Sequence, residues 1–214
     1  MHLLVLLDVD GTLFLTHDAV AVAAFDETLA SRYGVELRDG AIDRVDHAGQ
    51  TALRIARLVL RDAGLADDGI TPGLPGWCAE FAARYCDLLA DVDTSAWEAA
   101  PHAEDALERL TEAGNRLALL TGNPEPMARE RMERLGLARF FPQGQGAFGC
   151  EAESRTELIR IARERAGAWP AEATVEIGDT PRDASTAHDA GVRSIVVGDD
   201  GFQGAVSRLL VSSA

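Results

Sequence analysis

An apolar run, Leu3-Leu4-Val5-Leu6-Leu7, leads straight into Asp8-Val9-Asp10-Gly11-Thr12. Two carboxylates two residues apart beside a glycine turn invite a divalent cation; the plainer alternative is a turn at Asp10-Gly11, with Asp8 a polar strand end. Two later segments weigh on that choice. Arg116-Leu117-Ala118-Leu119-Leu120 ends in Thr121-Gly122-Asn123. That triplet offers a hydroxyl and free backbone N–H groups at a helix start, an anion site by geometry and dipole. Asn123 also reads as a simple N-cap before Pro124, and the two roles are compatible. Thr174-Val175-Glu176-Ile177 ends in Gly178-Asp179-Thr180-Pro181-Arg182-Asp183, which brings two more acids. Asp183 doubles as a capping-box partner of Thr180. Gathering Asp8, Asp10 and Asp179 without a cation would set like charges against one another, so a metal is implied. Oxygen-only ligands, with no His or Cys beside them, favour magnesium over zinc. Arg155 falls in the first turn of a helix, where the dipole disfavours positive charge, and this points to a nearby anion. A solvated arginine paired with Glu151 or Glu153 is the competing reading.

These residues need a scaffold that brings distant segments to one place. The first run, continuous and apolar, reads as a strand buried on both faces, and similar runs occur at 116–120, 174–177 and 194–197. Helical patterns separate the later ones: 102–113 between Pro101 and Gly114, 125–135 before Gly136, a helix opened by a Ser154/Glu157 capping box and running to about Arg165, and one from Thr180-Pro181 to Gly191. This alternation predicts an α/β fold, a doubly wound parallel sheet whose carboxyl edge collects ligands. Between the first strand and Pro101 the pattern is helical throughout: Asp18 to Tyr33, Gln50 to Ala63, Trp77 to Leu89. A structureless loop of that length is implausible, so the expected organisation is a core of 1–14 and 98–214 with a helical cap of 15–97 inserted.

Composition bounds the function. The formal charge of -15 and the lack of any basic run oppose nucleic acid as a partner. No apolar stretch is long enough to span a bilayer, and Asp8 and Asp10 interrupt the N-terminal run where a signal peptide would stay apolar, so a cytoplasmic address is expected. Cys78, Cys86 and Cys150 are odd in number and widely spaced, which reads as buried free thiols rather than a disulfide framework or zinc site. All 20 basic residues are arginine, so chemistry usually done by lysine must be done by arginine. Trp77, Trp97 and Trp169 fit a core or an interface equally well, and the oligomeric state is left open.

Taken in order, the motifs resemble those of the haloacid dehalogenase-like superfamily. Asp8-x-Asp10-Gly11-Thr12 looks like its first motif, Thr121-Gly122-Asn123 its second, and Gly178-Asp179-Thr180-Pro181-Arg182-Asp183 its fourth; His102 stands where a glycine is usual. The third motif departs, since the family generally supplies a lysine; Arg155 is the candidate substitute and Arg160 the alternative. The insert resembles a C1 cap, as in phosphoglycolate phosphatases, and places His47, Gly49, Gln50 and Thr51 in a substrate-facing loop or, alternatively, in a plain turn before a helix. The resemblance implies a phosphatase acting on a small phosphorylated metabolite. In it Asp8 is the nucleophile and Asp10 the acid and base. Thr121, Gly122, Asn123 and Arg155 hold phosphate, while Asp8, Asp10 (through its carbonyl), Asp179 and Asp183 surround Mg2+. A phosphomutase of the same architecture, or a non-catalytic phosphate-binding member, is the alternative.

Overall fold

The computed structural model describes residues 2–212. β1 (Leu4–Leu7) is followed by four helices, α1 (Ala19–Tyr33), α2 (Ala52–Asp62), the short α3 (Asp67–Ile70) and α4 (Leu74–Leu89). Then come α5 (Ala103–Glu112), β2 (Arg116–Thr121), α6 (Glu125–Arg134), β3 (Ala147–Phe148) and α7 (Arg155–Arg165). The chain closes with β4 (Thr174–Gly178), α8 (Pro181–Asp189), β5 (Arg193–Val196) and α9 (Gly201–Ser212).

The strands form one parallel sheet in the order β3-β2-β1-β4-β5. Central β1 has all four residues buried, as an unbroken apolar run requires of a strand covered on both faces. Its side chains alternate between two cores: Val5 and Leu7 join Phe14, Leu107 and Phe202 on one face, while Leu4 and Leu6 join Leu158, Ile159 and Ala187 on the other. β5 departs from the expected doubly buried strand. It is the edge strand, with Arg193 and Val196 exposed and the two residues between them half-buried. Two-residue β3 is too short to leave a periodic signal, and the sequence reading missed it.

Helices α1, α2 and α4 pack around their own core of Phe25, Leu29, Leu60, Trp77, Phe81 and Tyr85. Trp77 stacks on Phe81 at 5.3 Å, meets Phe25 edge-on at 5.2 Å, and donates its indole N–H to Thr28 Oγ1 at 3.1 Å. Two strands of chain join this bundle to the sheet and run side by side. Leu15 N donates to Glu98 O at 2.9 Å, Glu98 N donates to Thr16 Oγ1 at 2.8 Å, and Phe14 bridges Ala99 in antiparallel fashion.

Several local readings need correction. Thr180 and Asp183 do form a capping box, but Ser154 opens α7 without a side-chain cap bond, and the Glu157 side chain binds Arg160. The N-cap of α6 is Pro124 rather than Asn123. Cys78 on α4 and Cys150 just after β3 are not free thiols: they are joined in a disulfide, with Cα atoms 5.7 Å apart across 72 residues of sequence. Spacing along the chain hid this because the bond depends on the helical bundle folding back over the sheet. Only Cys86 remains a thiol among the described residues.

Candidate active site

Strands β1, β2 and β4 run in register, so their carboxyl ends deliver side chains to one edge. Asp8 follows β1, and its backbone N–H bonds Ile177 O of β4 at 3.0 Å. Oxygens of Asp8, Asp179 and Asp183 all lie within 4.8 Å of one another. Burial pushes the Asp8 carboxyl well above the usual carboxylate range; Arg155 opposes this, and Asp183 and Asp10 reinforce it. Oδ1 of Asp179 and Oδ1 of Asp183 are buried without hydrogen-bond partners. Gly11 sits against Asp179 at φ 74°, where a Cβ would lie 2.2 Å from Asp179 Oδ2. Three converging carboxylates with orphaned oxygens and no softer donor fit a hard divalent cation such as magnesium. The Asp10 carboxylate does not join them. It is turned toward Asn123 Nδ2, which donates to it, and toward Arg131 Nη1, 2.7 Å away.

Arg155 begins α7 and is 4% exposed. Its Nη2 lies 2.8 Å from Asp183 Oδ1, 3.2 Å from Glu176 Oε1 and 3.5 Å from Asp8 Oδ1. The Asp183 contact is close, yet its geometry is not that of a hydrogen bond, so it counts as charge proximity. The solvated reading of Arg155 is overturned: Glu151 pairs with Arg165 and Glu153 with Arg57. Arg160, half-exposed and held by Glu157 and Glu164, does not approach the acids.

Two residues of this cluster escaped the sequence reading. Glu176 is fully buried in the middle of β4, and burial drives its carboxyl up to about 7 against the pull of Arg155. Its signal was an acid inside an apolar strand. Arg131 of α6 is 2% exposed. Besides Asp10 it binds Asp18 Oδ2 through Nη2 at 3.0 Å and Nε at 3.3 Å, and its guanidinium lies 4.7 Å from the Phe14 ring centroid. Tyr85 OH donates to the same Asp18 oxygen at 2.8 Å. Its signal was an arginine sharing a helix face with Met127, Ala128 and Met132.

Thr121 Oγ1 is buried and accepts from Asn123 N at 3.2 Å and Nδ2 at 3.0 Å, which shapes the turn after β2. The helical bundle closes directly on that turn. Ala52 N, at the start of α2, donates to Gly122 O at 2.7 Å, and Leu53 N to Gly149 O at 3.3 Å. There is no room for side chains here: a Cβ on Gly149 would lie 1.7 Å from Gly122 O, and one on Gly122 would lie 2.1 Å from Gln50 O. Arg182 Nε donates to Ala48 O at 2.8 Å and its Nη2 pairs with Asp46 at 2.6 Å. His47, Gly49 and Gln50 line the resulting cavity of about 550 Å³, together with Asp8, Asp10 and Arg155. Thr51 does not line it. Fully buried, it caps α2 by accepting from Arg54 N and donates to Glu153 O at 3.1 Å, so it secures the bundle to the sheet.

A parallel sheet with carboxylates gathered at the ends of β1 and β4, a Thr-Gly-Asn turn after β2 and a helical insert after β1 defines a recognisable class of hydrolase. Residues 3–191 match the profile of haloacid dehalogenase-like hydrolases, and the chain belongs to that family. Among its relatives is a phosphoglycolate phosphatase of Rhodospirillum rubrum, 30% identical over 196 residues that cover 90% of this chain and 78% of the relative. Another phosphoglycolate phosphatase, from Rhodobacter capsulatus, is 27% identical, covering 88% of this chain and 81% of its own. Among solved structures, CbbY from Rhodobacter sphaeroides in complex with phosphate superposes with a TM-score of 0.66 at 23% identity, covering 95% of this chain and 88% of that one. At that identity the likeness shows the fold alone.

Proposed function

We propose that the protein is a magnesium-dependent phosphatase that hydrolyses a small phosphomonoester through an aspartyl phosphate on Asp8. The observation that carries the proposal is the convergence of Asp8, Asp179 and Asp183 at one sheet edge, with Arg155 against Asp8. An Asp8 oxygen attacks phosphorus in line, the bond to the leaving oxygen breaks, and Asp10 protonates that oxygen. Asp10 then takes a proton from water, which hydrolyses the aspartyl phosphate and frees Asp8. Arg155, Thr121 and the backbone N–H groups at Gly122 and Asn123 hold the phosphoryl oxygens. Asp8, Asp179, Asp183 and the Asp10 carbonyl would hold Mg2+, which when bound neutralises charge on the transferring group. Arginine carries the same charge as the family's lysine on a larger, planar head, and the buried Glu176 of β4 accepts from its Nη2 at 3.2 Å.

In this reading residues 15–97 act as a cap over a core of 1–14 and 98–214, the substrate is a phosphorylated metabolite, and the address is cytoplasmic. The relatives' naming as phosphoglycolate phosphatases supports hydrolysis over phosphoryl transfer to a sugar. The test is phosphate release from an aryl phosphate with magnesium, with EDTA, and by Asp8→Asn. Magnesium-dependent release that disappears in the variant is expected. Equal release by the variant would remove Asp8 from the mechanism.

A further inference from the structure

The cavity has two unlike ends. At the sheet edge are the carboxylates and Arg155; toward the helices the wall is Val22, Phe25, Ile42, Ile55, Phe81 and Met127. A phosphoryl group held at the first end directs its leaving group into the second. Volume is the first constraint: about 550 Å³ lies within the range of roughly 300–1,000 Å³ that suits drug-sized ligands. A two-carbon alcohol would leave most of the apolar wall uncovered.

Charge is the second. None of the seven arginines between residues 15 and 97 lines the cavity. Arg131 does line it, but its three nitrogens are committed to Asp10 and Asp18, one positive charge against two negative ones. Asp18 and Asp43 are the charged groups that the helical bundle contributes to the lining. His17, His47 and Gln50 add hydrogen-bonding groups, and His47 is oriented by donating from Nδ1 to Val45 O at 3.2 Å. A carboxylate or second phosphate on the leaving group would lose its water to an apolar wall and face acids with no unpaired arginine to receive it.

We infer that the alcohol released is uncharged and largely apolar, larger than glycolate, and that anionic phosphomonoesters such as phosphoglycolate are poor substrates. This rests on the phosphatase reading and departs from the substrate named for the relatives. The electrostatics give the reason: the two cations that could receive an anion, Arg155 and the proposed Mg2+, both belong to the phosphoryl end, and the opposite end is acidic and greasy. Selectivity is therefore set by what the helical bundle refuses as much as by what it contacts.

The experiment is kcat/KM of the magnesium-loaded wild type for benzyl phosphate, 4-carboxybenzyl phosphate and phosphoglycolate. The first two share a body and a similar leaving oxygen and differ by one carboxylate. Benzyl phosphate is expected to exceed 4-carboxybenzyl phosphate by at least about tenfold and phosphoglycolate by about a hundredfold, the scale on which unpaired polar groups are rejected. Isothermal titration with benzylphosphonate and its 4-carboxy analogue reads the same preference without turnover. Ile55→Arg, which places a cation on the apolar wall, is expected to narrow the ratio, and the wild-type comparison stands if that variant fails to fold. Equal or better turnover of the carboxylated ester or of phosphoglycolate overturns the inference and leaves the phosphatase reading intact. Hydrolysis of none of the three, with neither phosphonate bound, overturns both.

Discussion

Replacing Arg131 by Met tests whether the buried cation between Asp10 and Asp18 is structural, functional or both. The pair with Asp18 is nearly dry, with side chains 3% and 4% exposed, whereas the Asp10 side chain is 54% exposed and its share is screened. Removing one partner of a buried pair costs about 3–5 kcal/mol. Asp18 keeps bonds from Val20 N, Ala21 N and Tyr85 OH, which places the expected loss near the lower end, about 3 kcal/mol. For a chain of this size that lowers Tm by roughly 6–12 °C. Urea denaturation of Arg131→Met, Asp18→Asn and the double variant completes a cycle, and the coupling should reach at least about 1.5 kcal/mol. With magnesium, kcat of Arg131→Met should fall more than KM changes, because Asp10 loses the group that orients it. Additive single effects, or a variant within about 0.5 kcal/mol of wild type, would refute the reasoning.

Gly149→Ala forces a methyl group into Gly122 O and should cost more than about 2 kcal/mol and raise KM, since it pries α2 from the turn proposed to hold phosphate. Gly69→Ala, in α3 where a Cβ meets nothing within 4 Å, is the matched control and should leave KM unchanged and stability level or higher by up to about 1 kcal/mol. Glu176→Gln addresses pH. The folded carboxyl titrates at about 7 against an ordinary 4.5, so the folded state binds the extra proton and wild-type stability drops as pH rises between those values. The Gln variant should lose less stability than wild type between about pH 5 and pH 8; equal losses would show that Glu176 does not titrate there.

The sheet was legible because parallel strands covered on both faces leave unbroken apolar runs, and the strand ends with Asp8, Thr121 and Asp179 followed from those runs. β5 misled for the same reason: Ile195 and Val197 give an edge strand the look of a buried one. Arg131 and Glu176 went unseen because a buried charge is intelligible only through its partner, and Asp10 and Arg155 are 121 and 21 residues away. His102 was noticed as a departure from glycine, and the structure gives the meaning: it opens α5 at φ 57°, a conformation glycine adopts without strain. The disulfide lay beyond any spacing argument, because it joins one packed unit to another.

The placement of that disulfide bears on how the helical bundle can move. The two chain crossings between sheet and helical bundle lie side by side, tied by Leu15 N to Glu98 O, and two adjacent attachments leave a rigid body one easy freedom, rotation about the line through them. Cys78 to Cys150 is a third covalent attachment, next to the seam where α2 meets Gly149. With the bond formed, a swing of the bundle about that line must carry the segment after β3 with it; two electrons and two protons from a dithiol remove that link.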